Sequence, residues 1–267
     1  MTQIGIFGVN GRMGRKIVEA AFEHDQIRIG AASVRATSSL IGVDVGELIG
    51  QKTYGLNVSE GTGSLIEDAD VWIDFTLPEA LERHVEFCLK HKKNMVIGVT
   101  GLSAEQLRLI KAASNEIAIV YATNFSTGVN LMHKLLKIAA KTMGPTSDIE
   151  IVETHHRFKK DAPSGTAISM GEAIAEGLNV QLPEVAQYHR NSVQGERKVG
   201  EIGFSSLRCG DVVGEHTALF ADLGERLEIT HKATDRLTFA KGAVRAASWL
   251  ANKQNGLFDM QDVLEFN

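Results

Sequence analysis

The sequence predicts an α/β fold in two parts, an open parallel sheet with helices and a smaller α+β part with a mixed, mostly antiparallel sheet. Two observations favour this class. The first half alternates short apolar runs with stretches of helical periodicity, which is typical of a parallel sheet. The second half contains alternating runs separated by turn residues, which is typical of antiparallel strands.

Length, charge and cysteine content exclude several kinds of protein. A chain of 267 residues is long enough for two domains, and a net charge of −5 gives no basic surface for nucleic acid. Two cysteines, Cys88 and Cys209, do not make a disulfide framework. The sequence shows no signal-peptide core and no apolar run of the ~20 residues that a membrane span needs. We therefore expect a cytoplasmic protein without nucleic-acid or membrane partners.

The first predicted strand leads into a glycine-rich turn. Ile4–Phe7 has the pattern of a buried strand, and the G-x-x-G-x-x-G turn Gly8–Gly14 follows it before a helix predicted for Arg15–Glu23. Glycines let the backbone approach a pyrophosphate, and the helix N-terminus adds amide groups and the positive end of its dipole. Strand, glycine turn and helix in this order indicate a Rossmann-type dinucleotide-binding domain.

The second predicted strand, Ile27–Val34, ends where such domains bind the adenosine ribose. An acidic residue there would accept a hydrogen bond from the 2′-hydroxyl of NADH. This chain has Ser33, Val34 and Arg35 instead, and a guanidinium can bind a 2′-phosphate through two parallel hydrogen bonds. The sequence thus favours NADPH over NADH, with a plain surface charge as the alternative interpretation of Arg35.

Three further strands end in small or polar residues before the next helix begins. They are predicted at Val71–Phe75, Met95–Ile97 and Ile117–Val120, with one helix at Pro78–His91 and another capped by Ser103. Ligands of open parallel sheets lie at the carboxyl ends of the strands. We expect a wall for the nicotinamide half of a cofactor at Phe75–Thr76, Gly98–Thr100 and Ala122–Phe125, although each segment also fits an ordinary turn.

The remaining elements are predicted from periodicity and turn signals. Residues Ala36–Gly63 form a predicted loop with one short helix near Asp44–Ile49. The second half is predicted to contain the helix Gly128–Lys141, the strand Asp148–Glu153, the helix Thr166–Leu178, the loop Gln181–Gly200, the strands Gly200–Leu207, Val212–Phe220 and Arg226–His231, and the helix Leu237–Leu250 capped by Thr234 or Asp235. Turns at Cys209–Asp211 and Asp222–Glu225 predict antiparallel hairpins.

A small sheet with an exposed apolar face and edge favours a homo-oligomer.

The stretch Glu153–Ala167, E-T-H-H-R-F-K-K-D-A-P-S-G-T-A, concentrates the polar chemistry of the second half. It begins at a strand end and places two histidines and two lysines within six residues. Ser164 is a candidate N-cap, so the amides of Gly165 and Thr166 are expected to face outward at a helix N-terminus, where anions bind. A general acid, several cations and an anion site so close together suit a reaction on a carboxylate substrate.

Other interpretations of this stretch have less support. A metal site could use Glu153 and His155, which share a face of an extended strand, but no third ligand follows at metal-site spacing, so we predict no metal. A phosphate-binding loop would place its lysine after the last glycine, whereas Lys159 precedes Gly165. An acyl-enzyme mechanism lacks a nucleophile, because Cys209 lies in a turn and the serine is a cap. A solvated loop with a structural histidine stays open.

The same stretch resembles the signature of the bacterial 4-hydroxy-tetrahydrodipicolinate reductase (dihydrodipicolinate reductase) family, E-x-H-H-x-x-K-x-D-A-P-S-G-T-A. Further motifs extend the resemblance along the whole chain. They are G-x-x-G-R-M-G at Gly8–Gly14, D-F-T-x-P at Asp74–Pro78, N-F-S-x-G-V-N at Asn124–Asn130, G-E-H-T at Gly214–Thr217 and G-L-F-D-M at Gly256–Met260. Their combination is highly specific.

The resemblance implies a reaction and a domain plan. The reaction is the NAD(P)H-dependent reduction of 4-hydroxy-tetrahydrodipicolinate to tetrahydrodipicolinate in diaminopimelate and lysine biosynthesis, by hydride transfer to C4 of a cyclic imine. The plan is a dinucleotide-binding domain at residues 1–126, a substrate-binding and oligomerisation domain at residues 127–235 that forms a homotetramer, and a C-terminal return at residues 236–267.

The resemblance also implies roles for individual residues. His155 is expected as proton donor or acceptor, Lys159 as a proton donor and carboxylate partner, and His156 as a substrate contact. Gly165 and Thr166 are expected to hold a substrate carboxylate. The expected cofactor contacts are Gly8, Val9, Asn10, Gly11, Arg12, Met13, Arg35, Gly98, Val99, Thr100, Ala122, Thr123, Asn124 and Phe125.

Two positions depart from the family pattern, and two other functions stay open. Val34 stands where members that use NADH well tend to carry an acidic residue, which argues against a strong NADH preference. Val99 replaces a usual threonine, with little expected consequence because backbone groups should do most of the binding there. The other functions are a two-domain NADPH oxidoreductase acting on a small amino or keto acid, and a non-catalytic nicotinamide-sensing module. A panel of substrates would distinguish the first alternative from the reaction of the family. The second alternative would require neither a general acid nor an anion-binding site in the stretch Glu153–Ala167.

Overall fold

The computed structural model describes residues 1–61, 69–191 and 195–266. The chain divides into two compact units: the first combines Met1–Thr127 with Arg236–Asn267, and the second is Gly128–Asp235. In the described part of the chain, no helix has both the length and the apolar character that a membrane crossing requires.

The first unit is built on a parallel sheet. Numbered along the whole chain, its described strands are β1 (Thr2–Phe7), β2 (Ile27–Val34), β3 (Ser59–Glu60), β4 (Val71–Asp74), β5 (Asn94–Ile97), β6 (Ala118–Tyr121) and β12 (Gly256–Phe258). They lie in the order β12-β6-β5-β4-β1-β2-β3, and every pairing between these strands is parallel. The short, almost uninterrupted apolar runs suit strands that are covered on both faces. The predicted Rossmann-type α/β class is confirmed.

Helices cover both faces of this sheet. Those of the first unit are α1 (Arg12–Phe22), α2 (Pro78–Lys90), α3 (Ala104–Ala113), α7 (Leu237–Leu250) and α8 (Met260–Val263). Because alternate strand residues point to opposite faces, Ile4 and Ile6 pack with α1 and α7, whereas Phe7 packs with α2 and α3. Cys88 is buried in the α2–α3 layer as a free thiol.

Local sequence signals explain where these helices begin. Ser103 caps α3 as predicted: its hydroxyl accepts a hydrogen bond from the N–H of Gln106, and its own N–H donates to the Gln106 side chain. Pro78 occupies the first turn of α2, where no N–H is needed. The helix α1 begins at Arg12, three residues earlier than predicted, because Gly11 already serves as its N-cap.

The segment between β2 and β4 is mostly irregular. The predicted short helix is a single 3-10 turn at Glu47–Ile49. The buried carboxylate of Asp44 organises this loop, since it accepts hydrogen bonds from three backbone N–H groups at 2.7–2.8 Å. The predicted loop extends to Gly63, which with the rest of residues 62–68 lies outside the described residues.

The second unit contains a mixed sheet. Its described strands are β7 (Asp148–His155), β8 (Ala186–Gln187), β9 (Ile202–Arg208), β10 (Gly214–Asp222) and β11 (Glu225–Ala233), in the order β11-β10-β7-β9-β8. The strand β10 pairs antiparallel with β11 and β7, whereas β9 pairs parallel with β7 and β8. One apolar face of this sheet packs on the helices α4 (Thr127–Met143) and α5 (Gly165–Leu178). The predicted mixed sheet is confirmed.

One of the two predicted hairpins is wrong. The turn at Cys209–Asp211 joins β9 to β10, but β7 lies between these two strands in the sheet. A turn signal marks a reversal of the chain and does not reveal that an earlier strand fills the space between its two arms. The hairpin at Asp222–Glu225 is confirmed, because β10 and β11 pair in register up to these two residues.

One further segment differs from its prediction. The predicted loop Gln181–Gly200 contains the short helix α6 (Leu182–Val185) and the strand β8, and its residues 192–194 lie outside the described part. Pairing of β8 with β9 is a long-range contact that polar composition does not signal. The helix α7 begins at Leu237 as predicted, and Arg236 before it already has helical dihedral angles and makes no side-chain cap hydrogen bond, so the cap at Thr234 or Asp235 stays a prediction.

Candidate functional site

The glycine turn lies where the strand order of the sheet changes direction. The strand β1 sits between β2 and β4, and the chain leaves it through Gly8. Gly8 has a φ of +64°, and a Cβ at this position would lie 2.6 Å from Cγ2 of Thr76, so both the backbone and the packing require glycine. Gly11 caps α1 without a side-chain hydrogen bond. No capping side chain therefore stands between the first amides of α1 and an anion.

A cavity of about 530 Å³ lies beside this turn, within the first unit. Six predicted cofactor contacts line it: Gly8, Asn10, Gly11, Arg12, Met13 and Arg35. The other lining residues are Ser33, Val34, Gly61, Phe75, Thr76, Leu77, Ala80, Arg83 and His84. The volume suits a small-molecule or cofactor site. The fold therefore brings the glycine turn and the end of β2 to one cavity, as binding of a dinucleotide requires.

Three arginines give this cavity a positive lining. Arg12 begins α1, Arg35 follows β2, and Arg83 comes from α2. Within the residues that the structure describes, none of the three guanidinium groups has a hydrogen-bond or ion-pair partner. Close-approach glycines, helix amides and unpaired guanidinium groups together fit the phosphates of an NAD(P)H cofactor. Arg83 was not predicted, because no motif marks its position within α2.

Asp74 and His84 form a buried pair at the cavity wall that was not predicted from the sequence. Oδ2 of Asp74 lies 2.7 Å from Nδ1 of His84, and Oδ1 accepts hydrogen bonds from the N–H and hydroxyl of Thr76 at 2.9 and 2.6 Å. The His84 ring stacks on Phe7 with 4.0 Å between centroids. Asp74 thus fixes two cavity-lining residues at once. A carboxylate inside an apolar strand was the signal that could have revealed it.

The predicted cofactor segments that follow β5 and β6 do not line this cavity. They lie beside its wall, since the ring of Phe125 packs on that of Phe75 with 5.0 Å between centroids. Val9, Val99 and Phe125 are buried, with at most 1% of each residue exposed. The cofactor contacts of these residues stay predictions.

In the second unit, β7 presents Glu153 and His155 on the same face, as expected for alternate residues of a strand. Both are buried, with 1% of Glu153 and 8% of His155 exposed. Nδ1 of His155 lies 2.5 Å from Oε2 of Glu153. This hydrogen bond leaves Nε2 as the ring atom of His155 that can exchange a proton with a substrate.

Arg208 and Ser164 hold the other side of the Glu153 carboxylate. Arg208 donates two hydrogen bonds to it, at 2.8 and 2.9 Å, and the N–H of Ser164 donates a third at 3.2 Å. The parallel pairing of β7 with β9 places Arg208 opposite His155. Burial alone would raise the pKa of Glu153, but hydrogen bonds from Arg208, Ser206 and His155 outweigh it and lower the pKa to about 2.

Burial favours the neutral form of His155. Burial lowers the pKa of His155, the carboxylate of Glu153 opposes this effect, and the positive charges of Lys159 and Arg208 reinforce it. The net pKa is below that of an ordinary histidine. The protonated ring is therefore a stronger acid than an ordinary imidazolium, while a smaller share of the His155 rings carries that proton near neutral pH.

His216 joins this cluster from β10, where it pairs in register with Glu153. Its Nε2 lies 2.9 Å from the hydroxyl of Ser164, and its ring packs edge-on against His155 with 5.0 Å between centroids. Burial, followed by the nearby His155, lowers the pKa of His216 to about 3. Ser164 also accepts a hydrogen bond from the N–H of Ala167 at 3.1 Å, which confirms the predicted N-cap of α5.

The remaining predicted residues lie around the same histidine. Lys159 contributes to the field at His155, and its ammonium group binds Asp161 at 2.8–2.9 Å. His156 follows the end of β7, and its buried Nδ1 has no partner among the described residues. Gly165 and Thr166 are the first two residues of α5. The second unit therefore brings together an acid, a cation and a capped helix N-terminus.

Three members of this cluster were not predicted as site residues. Glu153 was considered only as a metal ligand, although strand alternation already placed it beside His155. Arg208 and His216 reach the cluster through the pairing of β9 and β10 with β7, which local sequence patterns do not specify. The G-E-H-T motif contains His216 and was the one signal for it. In the described residues, no group of three or more His, Cys, Asp or Glu side chains is placed to hold a metal ion.

Comparison with known proteins identifies one family along the whole chain. Family models described as "Dihydrodipicolinate reductase, N-terminus" and "Dihydrodipicolinate reductase, C-terminus" match residues 2–125 and 128–264. A 4-hydroxy-tetrahydrodipicolinate reductase of Pseudoalteromonas atlantica is 55% identical over 264 residues, which cover 99% of each chain.

Solved structures agree with this result. A dipicolinate-bound dihydrodipicolinate reductase from Paenisporosarcina sp. TG-14 superposes with a TM-score of 0.73 at 27% identity, covering 98% of both chains. An amine dehydrogenase from Mycobacterium smegmatis, at 14% identity and a TM-score of 0.62, shares the fold alone over 96% of this chain and 94% of its own. The predicted enzyme class, an NAD(P)H-dependent 4-hydroxy-tetrahydrodipicolinate reductase of lysine and diaminopimelate biosynthesis, is confirmed. The chain belongs to the dihydrodipicolinate reductase family.

Proposed function

We propose that this protein reduces 4-hydroxy-tetrahydrodipicolinate, a small cyclic dicarboxylate, and that it prefers NADPH to NADH. One observation carries the assignment of the site: a buried carboxylate holds His155 beside the capped N-terminus of α5. A substrate with two negative charges that takes up a proton on reduction needs an anion site and an acid close together.

The substrate carboxylates bind at the start of α5 and in the loop before it. Gly165 and Thr166 hold one carboxylate at the positive end of the helix dipole. His156 and Lys159 contact the substrate from the loop that follows β7. Lys159 exchanges its present partner, the carboxylate of Asp161, for a substrate carboxylate, so the charge around its ammonium group stays balanced.

His155 and Lys159 carry out the proton transfer that accompanies reduction of the substrate. His155 acts through Nε2, because Nδ1 is held by Glu153. Its lowered pKa makes the protonated ring a stronger acid than an ordinary imidazolium. Lys159 is the second proton donor and reduces the negative charge of the bound substrate, which favours addition of a hydride to the ring.

The first unit holds the cofactor, which supplies the hydride when it is bound. The turn at Gly8–Met13 and the amides at the start of α1 receive the pyrophosphate. Arg35 receives the 2′-phosphate, which is supported by its place in the cavity and by the absence of an acidic residue from the end of β2 at Ser33 and Val34. The segments Gly98–Thr100 and Ala122–Phe125 complete the site through backbone groups.

We also propose a homotetramer that forms through the second unit, and a cytoplasmic location. Large apolar side chains on its sheet support self-association, because Leu207 is 47% and Leu227 is 40% exposed in the single chain. The free thiols of Cys88 and Cys209 support a reducing compartment.

The direct test is an assay with the purified protein, NADPH and the freshly made condensation product of aspartate semialdehyde and pyruvate. We expect rapid loss of NADPH absorbance, slower loss with NADH, and no reaction with a panel of simple keto acids. Comparable rates with the keto acids would assign the protein to a broader class of oxidoreductase. Binding of NADPH without oxidation by any substrate would contradict an enzymatic role.

A further inference from the structure

We propose that Glu153 is a positioning residue that fixes His155 with Nε2 free and joins this histidine to the start of α5. This role rests on the function proposed above, in which His155 exchanges the proton. The carboxylate is 1% exposed and accepts hydrogen bonds through both oxygens, Oε1 from Ser164 and Arg208 and Oε2 from His155 and Arg208, in addition to the one from Ser206.

The charge on Glu153 determines which nitrogen of His155 carries hydrogen. An ionised carboxylate can only accept hydrogen bonds, so Nδ1 of His155 must carry a hydrogen. In the neutral ring, Nε2 then has a free lone pair, and in the protonated ring Nε2–H is the proton that can leave. Without this constraint, the ring could adopt the other tautomer or rotate away from the substrate.

The same carboxylate also reaches the anion site. Oε1 accepts the N–H of Ser164, whose hydroxyl caps Ala167 in the first turn of α5 and lies 2.9 Å from His216. Arg208 extends the link, because it donates to the backbone carbonyl of Asp161 at 2.7 Å, beside the present partner of Lys159. One buried group therefore sets the spacing between the proton-exchanging nitrogen and the place where a substrate carboxylate binds.

A matched pair of variants separates positioning from simple structural support. Glu153→Gln keeps the shape and removes the charge, and Glu150→Gln makes the same change three residues earlier on β7, where the carboxylate binds Arg190 and Arg197. We expect Glu153→Gln to lower kcat by about tenfold to a hundredfold, a range typical of residues that orient an active group. The Kd for NADPH should stay within about twofold, and Glu150→Gln should keep the kcat of the unmodified protein.

The pH dependence of kcat/KM provides a readout that a purely structural pair would not change. The charged groups that face His155 are Glu153 on its own strand, Arg208 from β9, His216 from β10 and Lys159 from the following loop. Glu153 is the only one of these four that favours the protonated ring. The part of the pH profile of kcat/KM that reflects the titration of His155 should therefore move to lower pH in Glu153→Gln. If this part of the profile and kcat were both unchanged, the positioning role would be overturned.

A spectroscopic test needs neither activity nor a folded variant at Glu153. In protein labelled with ¹⁵N-histidine and free of ligands, we expect a hydrogen-bonded Nδ1–H signal from His155, identified by its loss in His155→Ala. A tautomer with hydrogen on Nε2 alone would overturn the positioning role even if the protein reduces the imine. Absence of imine reduction together with the Nδ1–H signal would instead refute the proposed function, so the two failures can be told apart.

Discussion

Gly214 lies directly against the reactive atom of His155: a Cβ built on Gly214 would be 3.1 Å from Nε2 of that ring. A shift of the ring away from Gly214 would disturb the hydrogen bond of Nδ1 to Glu153, 2.5 Å away. The first residue of β10 therefore keeps Nε2 accessible by having no side chain.

The first prediction concerns this contact. Gly214→Ala should lower kcat by about tenfold or more, because the methyl group crowds Nε2 or displaces the ring from Glu153, and it should reduce stability by about 1 kcal/mol. Steady-state kinetics and urea denaturation measure the two effects. Glu215→Gln, the adjacent residue with an exposed partner in Lys232, is the control and should change neither. Full activity in Gly214→Ala would mean that Nε2 is not the reacting atom.

The second prediction concerns cofactor choice. Arg35→Ala should weaken NADPH binding by about tenfold to a hundredfold and leave NADH binding almost unchanged, because only NADPH carries the 2′-phosphate. Fluorescence titration of both cofactors measures the ratio. Arg28→Ala, on the strand β2 that precedes Arg35 but outside the cavity, is the control. Equal weakening of both cofactors would assign Arg35 to the shared phosphates instead.

The third prediction separates the cap of α5 from an ordinary helix cap. Ser164→Ala and Ser103→Ala each remove an N-cap hydrogen bond and should each destabilise the protein by about 1 kcal/mol. Only Ser164→Ala should also raise KM for the imine, because its cap shapes the proposed carboxylate site. Denaturation curves and KM values give the comparison. Similar KM values in both variants would count against substrate binding at the start of α5.

The fourth prediction concerns stability at low pH. The pKa of His216 falls from the ordinary 6.5 to about 3 in the folded protein, so between these values the unfolded chain binds more protons. Stability should therefore fall as pH falls through this interval, by up to roughly 1.4 kcal/mol for each pH unit. His216→Gln should flatten the dependence between pH 6.5 and 4.5. Glu153 adds its own dependence below this interval, because its carboxyl group protonates near the ordinary pKa of 4.5 in the unfolded chain but only near 2 in the folded protein. Urea midpoints measured across this range test it, with the exposed His189→Gln as control. An unchanged slope in His216→Gln would contradict a buried neutral imidazole.

Local patterns were enough to predict most of the fold of the first unit. The predicted strand Ile27–Val34 has the observed bounds, because a parallel strand covered on both faces is a plain apolar run. Caps such as Ser103 and Ser164 are also local, since the bonded N–H lies three residues away. The glycine turn is also recognised locally, because its glycines all lie within the short motif Gly8–Gly14.

Features that depend on strand order could not be predicted in this way. The position of β7 between β9 and β10 depends on pairing between strands that are distant in sequence. This pairing brings Arg208 and His216 to Glu153. Arg83 reaches the cavity because α2 packs on the sheet with that side facing the glycine turn, which periodicity alone does not specify. The pairing of Asp74 with His84 likewise joins a strand to a helix.

The most direct test of the whole account replaces His155 and Lys159 by alanine together and compares turnover with cofactor binding. The double variant should lose at least about a thousandfold in kcat for imine reduction, as expected when the acid and the cation are both removed, and should keep the Kd for NADPH within about twofold. Lys160→Ala, the exposed neighbouring lysine, should behave like the unmodified protein. Loss of NADPH binding with normal residual turnover would contradict the roles assigned to His155 and Lys159.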